Sequence, residues 1–155
     1  EEEQLATSKV TQRKSIFQPS EPMNSEFIKQ HIDTLTVAHF RDGAAGIATF
    51  VSDIMRLSDI KANYICVDML QKKFKYVDSS RKWVDDTKNG DHLRKILYKP
   101  VIAKGKELVK KLGETEERDV ELIGVLLKEI ETMSRIPKEF HEVMINYLAP
   151  LISSH

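Results

Sequence analysis

The apolar residues of this chain change their spacing twice, and that change constrains the fold more than any other feature. From Ala44 to Leu57 the residues Ile47, Phe50, Val51, Ile54 and Leu57 recur at steps of three, one, three and three, which is one face of an α-helix. Between residues 64 and 84 the step drops to two. Tyr64-Ile65-Cys66-Val67 is aromatic and β-branched, and Phe74-Lys75-Tyr76-Val77 alternates apolar with polar. Trp83-Val84 follows the turn chemistry of Asp78-Ser79-Ser80-Arg81-Lys82. Beyond residue 90 the helical step returns. A lone hairpin is marginal in water, so these strands need a helical layer over their apolar face. The expected fold class is therefore α+β: a small antiparallel β-hairpin or three-stranded sheet packed among five or six α-helices. The buried face should hold Tyr64 or Ile65, Phe74, Tyr76 and Trp83, with Lys72, Lys73, Lys75, Arg81 and Lys82 on the other face or in loops.

Punctuation residues divide the helical parts. Ser25 is placed to cap a short helix carrying Phe27, Ile28 and Ile32, and Thr36 to cap a turn at residues 37–40 that Asp42-Gly43 ends. Asp86 or Thr87 can cap a helix that buries Leu93, Ile96 and Leu97. Pro100 has no N–H, so a break or kink is expected near Lys99, followed by resumption to a stop at Gly113. Thr115 should open the next helix, with the stripe Val120, Ile123, Leu126, Leu127, Ile130 and Met133. Pro137 suits the first position of the last, which carries Phe140, Val143, Met144, Tyr147 and Leu148. Residues 1–24 are polar, interrupted by Pro19 and Pro22, and read as a flexible linker; residues 25–155 read as a single globular domain. The opening Glu-Glu-Glu lacks a Met, which suggests a piece of a longer chain or a processed product.

Several chemistries have no motif. The only cysteine is Cys66, so no intramolecular disulfide can form, and a reducing, intracellular compartment is expected. No run of 18 apolar residues exists, so no membrane partner is expected. The five histidines form no His-x-x-x-His, and there is no Cys-x-x-Cys, so no metal ligands and no cofactors are assigned. Cys66 lies in an apolar strand, where a thiol is usually buried and inert, and Gly-x-Ser-x-Gly is absent, so no catalytic residues are assigned. Asp85, Asp86 and Asp91 read as an acidic helix start before a cation site. Gly43 and Gly46 suit close backbone packing better than an anion nest.

Charge is more informative than its zero total. Residues 61–111 carry 14 Lys/Arg against 6 Asp/Glu, while residues 1–60 carry 6 against 9 and residues 112–155 carry 4 against 9. A basic segment between acidic ones attracts polyanions or an acidic protein surface. Within it Lys72, Lys73, Lys75, Arg81 and Lys82 interleave with Phe74, Tyr76 and Trp83, with Arg94 and Lys95 following on the next helix. Basic side chains neutralise phosphates and exposed rings stack on unpaired bases. These seven basic residues are the expected nucleic-acid contacts. The competing expectation is that acidic C-terminal helices pack beside the segment and neutralise it.

The order His39-Phe40-x-x-Gly43-x-x-Gly46-Ile47-Ala48, then Ile65-Cys66-Val67-Asp68, Lys73-Phe74-Lys75-Tyr76 and Trp83-Val84-x-Asp86 resembles a C-terminal module of uncharacterised proteins from large DNA viruses and mobile elements. The likeness covers residues 39–86. It implies an accessory domain of a viral or mobile-element protein, in the virion or the host cytoplasm or nucleus, and carries over no activity. The expected function is a non-enzymatic binding module that contacts nucleic acid through residues 61–111. The alternative is a protein–protein assembly or oligomerisation domain whose interface is the apolar C-terminal helices.

Overall fold

The computed structural model describes residues 21–56, 63–86 and 89–153; the linker expectation up to residue 20, Leu57 and Thr87 lie outside them. The change of period resolves into an α+β fold. Helix α1 (Ser25–Gln30) and a 3-10 turn (Ile32–Thr34) lead to α2 (Val37–Arg41) and α3 (Gly43–Arg56). Strands β1 (Tyr64–Asp68), β2 (Lys73–Val77) and β3 (Trp83–Asp86) form one antiparallel sheet in the order β1-β2-β3. Helices α4 (Asp91–Gly113), α5 (Val120–Arg135) and α6 (Pro137–Leu151) follow.

One core joins all layers. The stripe of α3, Ile47, Phe50, Val51 and Ile54, is buried with Met144 and Leu148 of α6, the helix it packs against. Leu93, Leu97 and Val101 of α4 and Leu126, Ile130 and Met133 of α5 extend that core. The sheet closes it with Tyr64, Cys66 and Phe74, the Tyr64 and Phe74 rings stacking at 5.4 Å. The chain end returns to the sheet: the Cys66 N–H donates to the Ile152 carbonyl at 2.9 Å, and Ser153 pairs with Cys66 in parallel.

The glycines of α3 serve packing. A β-carbon on Gly46 would stand 1.9 Å from the His39 carbonyl oxygen, so α2 and α3 can meet only with glycine there. Gly43 has φ +63°, and a β-carbon on it would lie 3.2 Å from a Glu129 carboxylate oxygen, so the start of α3 faces α5.

Several helix boundaries differ from the sequence expectation. Asn24, not Ser25, caps α1, accepting the Phe27 N–H at 3.0 Å. Thr115 does not open α5; its hydroxyl donates to the Leu112 carbonyl at 2.9 Å, and Asp119 is the cap, accepting from Leu122 N–H. Helix α4 runs through Pro100 unbroken. The lost hydrogen bond costs about 3 kcal/mol, and the buried residues on both sides, Leu97 and Tyr98 before and Val101 and Gly105 after, keep the helix together. Val120 and Leu127 of α5 and Val143 and Tyr147 of α6 are exposed, not buried.

Candidate nucleic-acid interface

The register of the sheet decides which of the basic and aromatic residues share a face. Directly opposed residues of an antiparallel pair lie on the same side. Tyr64 opposes Tyr76, Cys66 opposes Phe74, Tyr76 opposes Val84 and Phe74 opposes Asp86, which defines the inner face. Lys75 opposes Ile65 and Asp85, and Val77 opposes Trp83, which defines the outer one. Trp83 therefore does not join Phe74 and Tyr76, contrary to the sequence expectation, and is exposed. The Asp78 N–H bonds the Lys82 carbonyl at 2.9 Å, and counting outward from that pair sets Trp83 against Val77. Of the three rings proposed to stack on bases, Phe74 is buried and Tyr76 lies against His92 with centroids 3.7 Å apart, leaving Trp83.

The seven basic residues divide into three places. Lys72, Lys73 and Lys75 line a groove of about 470 Å³ whose apolar wall is Val67 and Phe74 and whose far side carries Asp85 and Asp86. Lys72 has φ +54° and turns its Nζ onto the Met69 carbonyl at 2.7 Å. Lys75 Nζ lies 3.6 Å from Asp85 Oδ1. Lys73 has no carboxylate within 4.0 Å among the described residues, because Asp68, its opposite number, accepts the Leu70 and Gln71 N–H groups instead. Arg81 and Lys82 sit in the β2–β3 turn, a strand length away from Lys72, and are exposed without a carboxylate partner among the described residues. Arg94 and Lys95 lie on α4, both bonded to Asp91 at 2.6 and 3.2 Å. Those two bonds, Arg94's first, hold the Asp91 carboxyl below the usual carboxylate range. Gln71 and the hairpin tip at Met69 and Leu70, all exposed, carry no charge or motif that marks them in the sequence.

Among the described residues no carboxylate of residues 114–142 pairs with the basic segment. Those of its cations that pair meet Asp85, Asp91 and Glu107 of that segment and Asp33, which with Glu107 holds Lys104. The three aspartates near β3 have separate partners. Asp85 pairs with Lys75; Asp91 holds Arg94 and Lys95. Asp86 accepts the Tyr64 O–H at 2.7 Å and the His92 N–H at 2.7 Å, so its carboxylate closes the start of α4 although Gly90 is the cap residue. Burial, then the Asp86 charge, pushes the Tyr64 phenol well above its ordinary value.

A second buried polar set lies behind this one. The Tyr98 O–H donates to His141 Nδ1 at 2.8 Å, and His141 Nε2 donates to the Asn89 and Gly90 carbonyls, each at 3.0 Å. Cys66 is buried, and burial pushes its thiol up, which favours the unreactive protonated form. Among the described residues no group of three or more His, Cys, Asp or Glu side chains is placed to hold a metal ion, and no helix is long and apolar enough to cross a membrane. No family model, no curated protein and no solved structure matches this chain.

Proposed function

We propose that this chain is a non-enzymatic binding module that takes single-stranded nucleic acid on the outer face of its sheet. The observation that carries the reading is the parity of β2 and β3, which sets the exposed Trp83 ring on the same face as Lys73 and Lys75. A ring beside cations offers a base a stacking surface and its phosphates a counter-charge. Arg81 and Lys82 extend the cationic path beyond Trp83, and Lys72 extends it at the groove. Arg94 and Lys95 have a smaller part, since Asp91 already holds both. The setting in a viral or mobile-element protein rests on the resemblance of residues 39–86.

Trp83 is the sole tryptophan, so its fluorescence reports the site directly. Adding oligothymidylate at low salt should quench it, and the affinity should fall as salt rises. Lys73→Gln with Lys82→Gln should flatten the salt slope by about 1.4, since each single-strand phosphate contact contributes roughly 0.7. Trp83→Ala should abolish most binding while costing about 1–3 kcal/mol of stability, as suits a ring that is 36% exposed beside the buried Val77. No quenching and no anisotropy change at low salt would refute the reading.

A second reading has its own observation. Val143, Tyr147 and Leu151 recur every four residues along α6 and are all exposed, a stripe suited to a protein partner. Replacing Val143 and Tyr147 with Ser should then remove a partner or oligomer contact without unfolding the chain. Unchanged sedimentation and partner binding in that variant would dismiss it.

A further inference from the structure

The open edge of the sheet is β3. Its sequence with the preceding turn, Arg81-Lys82-Trp83-Val84-Asp85-Asp86, is basic at one end and acidic at the other. The ladder phase set by Asp78 and Lys82 directs the main-chain groups of Val84 and Asp86 to β2. Those of Trp83 and Asp85 point outward, and among the described residues they have no backbone partner. The opposite edge differs, because the Ile152–Ser153 segment already pairs with β1.

We infer that β3 pairs antiparallel with β3 of a second copy across a twofold axis at Val84, joining two three-stranded sheets into one of six strands. Hydrogen-bonded pairs in an antiparallel ladder need both residues to present their main-chain groups to each other. Trp83 of one copy and Asp85 of the other meet that condition, twice by symmetry, with Val84 facing its own counterpart between them. The register sets Arg81 one diagonal step from the exposed Asp85 of the second copy, while Asp86, opposite Lys82, stays buried on Tyr64 and His92. The exposed charges of this edge, Arg81 and Lys82 at one end and Asp85 at the other, thus lie near opposite charge in the antiparallel sense and near like charge in the parallel one, which also selects the twofold arrangement over an open chain. A uniformly lysine-rich edge would instead keep copies apart. Trp83 of each copy lies diagonally across the junction from the other, within reach of aromatic contact.

Sedimentation equilibrium of the full chain tests this, with charge-reversed edges as variants. Wild type should show a monomer–dimer equilibrium. Arg81→Glu with Lys82→Glu makes the edge wholly acidic and should weaken the dimer at least about tenfold. Asp85→Lys makes the exposed part basic and should do the same, and mixing the two variants should restore a heterodimer. Arg81, Lys82 and Asp85 are exposed, so all three substitutions leave the core intact. Register is tested by Val84→Cys in a Cys66→Ser background, which should oxidise to a disulfide-linked dimer because Val84 faces itself. A wild type that stays monomeric at its solubility limit overturns the inference. A dimer that ignores the charge reversals overturns it too, and assigns association to another face such as the α6 stripe.

Discussion

His141 shows how one buried residue makes stability depend on pH. Its ring is 2% exposed and both nitrogens are satisfied while it is neutral: Nε2–H donates to two carbonyls and Nδ1 accepts from Tyr98. Burial lowers its pKa to about 4, against 6.5 for the free side chain. The unfolded chain therefore takes up a proton near pH 6.5 that the folded one refuses until about pH 4. The stability linked to this ring is complete above pH 6.5 and is lost as pH falls toward 4, to an extent of about 3 kcal/mol. Urea unfolding at a series of pH values should show that loss in wild type and a flatter profile in His141→Gln. Parallel profiles would mean that other groups set the pH dependence. Gly90, at φ +72°, is part of the same arrangement, since a β-carbon there would stand 2.7 Å from the Tyr64 hydroxyl and 3.4 Å from His141 Nε2.

At the scale of elements, α4 carries the plainest conflict between local preference and packing. Pro100 leaves the carbonyl of Ile96 without its usual donor, yet the helix continues from Asp91 to Gly113. Pro100→Ala restores that donor and should raise unfolding stability by about 1–3 kcal/mol, measured in urea. A destabilised Pro100→Ala protein would show that the ring itself contributes more by packing than the missing bond costs. The amphipathic stripe of α3 was readable because five residues repeat with one period. The stripes of α5 and α6 were readable only in part. Leu126, Ile130 and Met133 are buried while Leu127 on the same helix is half exposed, since apolar spacing names a broad face and neighbours choose how much of it to cover.

At the scale of the molecule, the sheet is held between its own helical layer and the end of the chain. Ile152 is buried and its carbonyl accepts the Cys66 N–H, so the last described residues act as a short fourth element on the β1 edge. Removing residues 152–155 should cost about 2–4 kcal/mol, from the lost Ile152 burial and the unpaired Cys66 N–H. Unfolding curves of the truncated and full chains that coincide would place that segment outside the cooperative unit. At this scale the paired cations of the basic segment meet Asp85, Asp91, Glu107 and Asp33 rather than the acidic helices that follow it, and Lys73, Arg81 and Lys82 keep their charge unpaired among the described residues.

The sequence by itself determined the α+β class, the three strands within a residue or two, and the helical stripe of α3. These depend on periods of 3.6 and 2, which are properties of neighbouring residues along the chain. It also marked Lys72, Lys73, Lys75, Arg81, Lys82, Arg94 and Lys95 as a basic group. Only the tertiary structure decided that these fall in three places, that Phe74 and Tyr76 turn inward, and that Trp83 turns outward. Which residues converge depends on strand register and on which partners lie opposite, and both are set by contacts between segments that a linear spacing does not contain.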